Sequence, residues 1–346
     1  MLKLLLLWVT NDCNLRCRYC YACGGNEKAY MDWHVAKSAL DLMIERSKSF
    51  KVQFTGGEPL LNFNLVEQVV NYLNSMGVDV RFQIQTNATL INSETAKKLR
   101  ALNVAVGVSL DGLPYVNDQL RPFANGQGST IKALNGIKKL GDFGIKTGLT
   151  SVLSAANVKG LPSLVEMASY LGNVYGISID PLRKIGRGIG EMEANPETAA
   201  HYLDLAIRRA DEIVDMGGLG VKFREIERMK HLLSTGNARK YRCYVDACQS
   251  LLVTPSGNAY PCASLCYPDF HLGHIEDEYF GHLLQKGLKF KGDIIASPDR
   301  CRDCSEKWLC GGACPAQIFS TSGEIELECA IKKVFMKHAR RDHKVD

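Results

Sequence analysis

Leu4-Leu5-Leu6-Leu7-Trp8-Val9-Thr10 runs directly into Cys13-Asn14-Leu15-Arg16-Cys17-Arg18-Tyr19-Cys20, and the fold is read outward from this junction. The apolar run is too short to cross a membrane and reads as a buried β-strand over Leu2–Thr10, with the cysteine loop at its C-terminal end. The loop spaces its thiols C-x3-C-x2-C. An iron–sulfur cube closes its coordination with four thiolates, and this loop supplies three. Three ligands leave one iron open, and an open metal position is where a substrate or cofactor can bind. A zinc knuckle or a thiol redox loop is the competing reading, with Cys23 as a fourth ligand.

Beyond the loop the chain alternates. A helix is expected near Asp32–Ser47, then a strand Val52–Thr55 ending in Gly56-Gly57-Glu58-Pro59. A helix near Asn64–Met76 precedes strand Val80–Gln85, and a helix Asn92–Ala101, capped by Ser93, precedes strand Val104–Ser109. After a long loop come a helix near Thr130–Leu140, a strand Lys146–Val152, a helix near Val158–Leu171 and a strand Gly176–Asp180. Six strands alternating with helices predict an α/β fold, a partial (β/α)6 TIM-type barrel. Such barrels carry their chemistry on loops at the strands' C-terminal ends. The cysteine loop, Gly-Gly-Glu-Pro, Gln85-Thr86-Asn87 and Ser109-Leu110-Asp111 all fall there.

From Gly186 to Gly190 a flexible connection is expected, followed by helices Pro196–Asp215 and Phe223–Ser234, then a cysteine-rich segment with few long helical patterns. The expected divisions are a barrel over 1–190, a helical linker over 191–240 and a small cysteine-rich domain over 241–346. With 46% hydrophobic residues in 346, the chain can bury a substantial core. A net charge of +5 is small for this length, so the basic run Lys337–Arg341 reads as a solvated helix face rather than a nucleic-acid site. Thirteen cysteines with no secretory signal point to metal rather than disulfides, and to a cytoplasmic protein without membrane association.

With Tyr19 before the third cysteine, the loop resembles the signature of the radical S-adenosylmethionine (radical SAM) enzymes. In that family the open iron takes the amino and carboxylate groups of SAM, and reductive cleavage yields a 5′-deoxyadenosyl radical that abstracts hydrogen. The resemblance implies that Cys13, Cys17 and Cys20 hold a [4Fe-4S] cluster. It implies SAM contacts from Tyr19, from Gly56, Gly57, Glu58 and Pro59, and from the strand ends at Gln85, Asn87, Ser109 and Asp111. Arg121 resembles an arginine that binds the SAM carboxylate; a salt bridge to Asp118 is the alternative. Glycines permit close backbone approach, and carbonyls with a carboxylate suit an ammonium. As plain structure, Asn, Ser and Asp also terminate strands.

A second constellation lies downstream. Thirteen residues separate Cys243 from Gly257 and four separate Gly257 from Cys262; then follow Cys301-x2-Cys304-x5-Cys310-x3-Cys314 and, after fourteen residues, Cys329. Pro255-Ser256-Gly257 reads as the turn of a hairpin that brings Cys262 back towards Cys243. These spacings resemble the SPASM domain, which holds auxiliary iron–sulfur clusters. By that resemblance Cys243, Cys248, Cys262 and Cys314 would hold one [4Fe-4S] cluster, and Cys301, Cys304, Cys310 and Cys329 another, making three clusters in all. Should Cys248 not be a ligand, the first auxiliary cluster would be open to a substrate thiolate. Cys23 and Cys266 are left over and read as inert thiols.

SPASM proteins mostly modify peptides, so the resemblance implies oxidation of a peptide to a thioether or carbon–carbon crosslink. The expected partners are that peptide and an electron donor such as ferredoxin or flavodoxin; because residue 13 leaves no room for an N-terminal leader-binding domain, either a separate leader-binding protein presents the peptide or the barrel and auxiliary domain recognise it directly. Sulfatase maturation to formylglycine is the alternative. Its general-base Asp follows a Tyr-Pro-Cys, whereas here Tyr260-Pro261-Cys262 precedes Ala263, leaving Asp269 or another residue to substitute. Radical chemistry on a small molecule, a multicluster electron carrier and a zinc scaffold are the remaining readings.

Overall fold

The computed structural model describes every residue except 190–191, 279, 282–283, 285–286, 289–297 and 344–346. Six parallel strands alternate with helices: β1 Leu4–Thr10, α1 Trp33–Arg46, β2 Ser49–Gly56, α2 Phe63–Ser75, β3 Asp79–Thr86, α3 Ser93–Ala101, β4 Val104–Ser109, α4 Pro114–Leu120, α5 Thr130–Asp142, β5 Thr147–Leu153, α6 Leu161–Leu171 and β6 Val174–Pro181. The expected partial barrel is present, with a cysteine-rich segment after it.

The sheet continues past the sixth strand. After α7 Pro196–Asp215, a two-residue β7 Lys222–Phe223 pairs parallel with β6 and leads into α8 Arg224–Thr235. At the opposite edge, β8 Ser250–Val253 pairs parallel with β1, Leu5 facing Leu251, and β9 Asn258–Tyr260 and β10 Gly273–His274 follow antiparallel. One ten-stranded sheet, β10-β9-β8-β1-β2-β3-β4-β5-β6-β7, therefore spans both halves of the chain. β1 is flanked by strands on both sides and covered on both faces. Leu5, Leu7 and Val9 join the main core, while Leu6 and Trp8 pack with Leu252 and Ala263 on the inner face. That double cover is why its sequence is apolar without alternation.

β2 and β3 behave differently. Phe50, Val52 and Phe54, with Phe82 and Ile84, are buried under the helices. The intervening Lys51, Gln53, Thr55, Gln83 and Gln85 line an inner cavity. The period-two pattern is thus half core and half polar lumen.

Several local expectations are revised. α3 is capped by Asn92, whose side chain accepts from the Thr95 amide, and Ser93 is the first helical residue. The long loop after β4 contains α4, with Pro114 in its first turn. The Gly186–Gly188 stretch is a short 3₁₀ turn whose Arg187 amide donates to the Cys20 carbonyl, so it is packed under the cysteine loop rather than a loose connection. Gly190 and the expected boundary at 190–191 lie outside the described residues. The cysteine-rich segment closes with an 18-residue helix, Glu326–His343, that packs on α7 and α8. Its basic run is divided: His338 is buried and bonded to Asp204, whereas Arg341 reaches Asp211 at the surface. Among the described residues, no helix is long and apolar enough to cross a membrane.

Leu5 is fully buried at the centre of this sheet, so Leu5→Ala should cost about 3 kcal/mol. The expected result is a lower urea midpoint at unchanged slope; an unchanged midpoint would mean that β1 is not the strand on which the sheet depends.

Candidate functional site

The cysteine loop is held by backbone carbonyls that accept from two arginines. Arg16 Nη1 donates to the carbonyls of Cys13 and Leu15 at 2.7 and 2.9 Å, and its Nη2 to that of Gly25 at 2.7 Å. Arg187, far along the chain, donates to the Cys17 carbonyl at 2.9 Å, the Gly24 carbonyl at 3.2 Å and Asn26 Oδ1 at 2.9 Å. Sequence reasoning missed Arg187 because its partners lie outside any local period. Cys13, Cys17 and Cys20 line one cavity. Burial pushes the Cys13 thiol up to about 12 and raises that of Cys17, and a bound cation would oppose this by favouring their thiolates.

The Gly-Gly-Glu turn at the end of β2 is laid directly on this loop. The Gly57 amide donates to the Thr10 carbonyl at 2.7 Å and the Glu58 amide to the Asp12 carbonyl at 2.9 Å. A Cβ on Gly57 would stand 2.1 Å from the Asp12 carbonyl oxygen, so no other residue permits this approach. Glu58 is buried, and its carboxylate is already engaged. Oε1 accepts from Thr86 Oγ1 at 2.6 Å and the Leu60 amide at 3.1 Å, and Oε2 from the Asn87 amide at 2.8 Å. Pro59 is buried at the start of the next turn. Asn87 Nδ2 reaches back to Asn14 Oδ1 at 2.9 Å, and Gln85 Nε2 donates to Ser109 Oγ at 2.9 Å across β3 and β4.

Asp111 and Tyr19 stand together. The Tyr19 hydroxyl donates to Asp111 Oδ2, while Arg121 Nη1 donates to Tyr19 Oη at 2.6 Å and lies 3.7 Å from the Asp111 carboxylate. All three are buried, and burial raises the pKa of Asp111 and Tyr19. Arg121 therefore pairs with Asp111 rather than Asp118, whose carboxylate caps Thr130 instead. Asp111 sits behind Tyr19 and outside the cavity wall, whereas Tyr19 and Arg121 line it.

That cavity, of about 370 Å³, brings together the three loop cysteines, Gly56 to Glu58, Gln85, Asn87 and Ser109 with Cys262 of the second constellation. Within the second constellation, Cys243, Cys262 and Cys314 are near enough to perturb one another, burial lifting Cys262 to about 11. Gly257, at a φ of 79°, makes the expected hairpin turn. Cys301, Cys304, Cys310 and Cys329 line one separate cleft. Cys248 Sγ stands 3.7 Å from the Leu288 carbonyl and packs against the main core. Cys23 and Cys266 both neighbour Tyr267. Asp269 is exposed and does not line the cavity. Among the described residues, no three His, Cys, Asp or Glu side chains draw in to the spacing of a single ion; cluster thiolates sit on separate irons and stand further apart. Three thiols on one rim, with glycine backbone and amide side chains opposite, fit a cluster that binds SAM.

A model of the radical SAM superfamily matches residues 9–166. An uncharacterized protein of Methanocaldococcus jannaschii is 46% identical over 287 residues, which are 80% of this chain and 90% of that one. The chain belongs to the radical SAM superfamily. Members bind SAM at a [4Fe-4S] cluster, and this one has maturases among its relatives. The cysteine-type anaerobic sulfatase-maturating enzyme of Clostridium novyi is 25% identical over 90% of this chain and 87% of its own. The mycofactocin maturase of Mycolicibacterium smegmatis is 28% identical over 91% and 79% respectively. In fold, this radical SAM protein superposes on native anSMEcpe with bound AdoMet at a TM-score of 0.81, with 20% identity, over 99% of this chain and 98% of that one.

Gly57→Ala should force the loop and the turn apart at a cost of about 1–3 kcal/mol, weakening SAM binding roughly ten- to hundredfold. Equilibrium dialysis of SAM against the reconstituted protein measures this; an unchanged affinity would remove the turn from the site.

Proposed function

We propose that this radical SAM protein oxidises a peptide, joining two of its side chains by a thioether or carbon–carbon crosslink. The observation that carries the reading is the shared cavity: the cysteine loop and Cys262 face one space of about 370 Å³, within the size range of ligand sites. Cys13, Cys17 and Cys20 would hold the SAM-binding cluster. Gly56 and Gly57 would present backbone to SAM, and Gln85, Asn87, Ser109 and Arg121 side chains. When bound, the cluster and SAM supply a 5′-deoxyadenosyl radical that takes hydrogen from the substrate.

The second constellation would hold two auxiliary clusters, Cys301, Cys304, Cys310 and Cys329 one of them, and Cys243, Cys262 and Cys314 with Cys248 the other. The division would be a barrel over 1–190, linking helices over 191–240 and an auxiliary domain over 241–346. A ferredoxin or flavodoxin as donor, a separate leader-binding protein and a cytoplasmic setting that keeps thiols reduced complete the reading.

Crosslinking removes a proton from a reacting thiol or C–H, and the cavity offers a group for it. Glu58 has both oxygens engaged, but Asp180 lines the same cavity and accepts no hydrogen bond among the described residues. Asp180 takes the substrate proton in this proposal. The same carboxylate would serve a second reading, formylglycine formation in a sulfatase, as the base in place of the Asp that Ala263 replaces after Cys262.

Anaerobically reconstituted, dithionite-reduced protein should release 5′-deoxyadenosine from SAM, and the Cys13→Ala/Cys17→Ala/Cys20→Ala variant should release none at matched auxiliary iron content. With a cysteine-containing peptide encoded beside the gene, mass spectrometry should find a product lighter by two hydrogens. Sulfur replaced by oxygen together with the loss of two hydrogens would identify formylglycine instead. Asp180→Asn should lower product formation by about 10²–10⁴-fold, the range for a general base, while uncoupled SAM cleavage persists. Undiminished product would remove Asp180 from the reaction.

A further inference from the structure

The cavity carries more positive charge than the SAM site uses. Five cations line it, Lys51, Arg121, Arg183, Arg187 and Arg224, against two carboxylates, Glu58 and Asp180. Arg121 is bonded to Tyr19, and Arg187 to the cysteine-loop backbone. Lys51 donates to Gln83 Oε1. Arg183 and Arg224 form no hydrogen bond or ion pair within 4 Å among the described residues, and Arg183 Nε is sealed from solvent without a partner. Arg183 is half-buried and Arg224 exposed, and a guanidinium N–H sealed from water without a partner costs stability unless a ligand completes it.

These cations occupy different depths. Arg183 follows the C-terminal end of β6, beside Tyr21, Asp180 and Cys262. β7 pairs Phe223 with Ile177, which sets Arg224 lower along β6. Lys51 lies deeper still, four residues below Thr55 on the lumen face of β2. Burial and the charges of Arg224 and Arg81 hold Lys51 down to about 8, which reports an uncompensated positive field at the floor. The SAM-facing residues lie on the cysteine loop and on the ends of β2 to β4, so the free cations face the part of the cavity left to substrate.

We propose that Arg183, backed by Arg224 and Lys51, is a recognition subsite for a substrate carboxylate, either an acidic side chain or a C-terminal carboxylate. This rests on the reading of the cavity as the peptide site. The guanidinium fork takes a carboxylate through two parallel N–H bonds, and exclusion of water strengthens them. The bound carboxylate fixes which side chain of the substrate stands beside the cysteine loop. Asp180, next to Arg183, stays free to act on the neighbouring residue of that substrate.

The test is equilibrium dialysis of the anaerobically reconstituted, SAM-loaded holoenzyme at low salt. The probes are radiolabelled N-acetylglutamate α-amide, which carries a side-chain carboxylate, and N-acetylalanine, which carries a terminal one. N-acetylglutamine amide is the uncharged control. At least one acid should bind saturably and the control should not. Arg183→Gln should weaken that acid by at least about tenfold, the loss of one charge-assisted bond, and Arg183→Lys by less, since it keeps the charge but not the fork. The tighter acid names the source of the carboxylate.

Absence of saturable binding by both acids overturns the proposal, as does equal binding by Arg183→Gln, or by Arg183→Lys should the Gln variant not fold. So does a shifted auxiliary-cluster potential in an EPR titration of Arg183→Gln with acid binding unchanged, because Arg183 would then serve Cys262 and Cys314. Binding is read without turnover. Acid binding lost in Arg183→Gln therefore supports the subsite even if no peptide product is found, a result that would count only against the peptide reading.

Discussion

Three strand ends meet on Glu58, and the geometry of the site depends on it. The residue closes β2, its oxygens take the amide of Asn87 and the hydroxyl of Thr86 at the end of β3, and its own amide binds the Asp12 carbonyl after β1. A buried carboxylate is costly unless its lone pairs are filled, and burial raises the Glu58 pKa despite the bonds that oppose it. Three good donors within one residue's reach make the arrangement tolerable and also unique. Displacing any one strand end would strand an acceptor out of water. The cysteine loop, hung from Asn11 and Asp12, inherits its position from that constraint. The motif's acid thereby ties the strands together where it lines the cavity.

How much of this was legible depended on whether the cause was local. β1 could be read because a strand covered on both faces has no polar face to show. Gly57 could be read because only a glycine lets two turns touch backbone to backbone. The pairings that cross the barrel could not be. Asp118, three residues before Arg121, was a reasonable partner until α4 ended at Leu120 and turned its carboxylate to Thr130. The arginine then found Asp111 and Tyr19 from two other loops. Arg187 sits in Gly-Arg-Gly, which in sequence looks like slack, yet its fork closes the cysteine loop from 170 residues away.

The lumen shows why the inner positions of β2 and β3 are polar although the barrel is a closed interior on its helix side. A small parallel barrel with eight strands fills its interior with branched apolar side chains. Here the sheet stays open, and the inner face of β1 is apolar, packed with Leu252 and Ala263. Lys51, Gln53, Gln83 and Gln85 keep the remaining space wet and polar. A cavity lined this way resists collapse, because closing it would desolvate amides and an ammonium that have no partners to spare. Empty volume beside the cysteine loop is thus maintained by polarity rather than by rigidity alone.

The same sheet explains how two distant cysteine groups come to share one space. β8 extends β1 in register, Leu4 beside Ser250 and Leu7 beside Val253, and β9 returns antiparallel so that Cys262 emerges at the rim where the cysteine loop begins. Across the opening, Arg183 leaves β6 within electrostatic range of Cys262 and Cys314, while Gln317 donates to the Leu182 carbonyl at 3.2 Å. The C-terminal segment therefore bridges the unpaired side of the barrel from β1 to β6. An appendage joined by a hinge could drift relative to the first loop; one hydrogen-bonded into the central sheet cannot do so without breaking a ladder buried on both faces. Fixed separation between the two cysteine groups follows from strand pairing, and the cavity between them is the volume that this pairing leaves over.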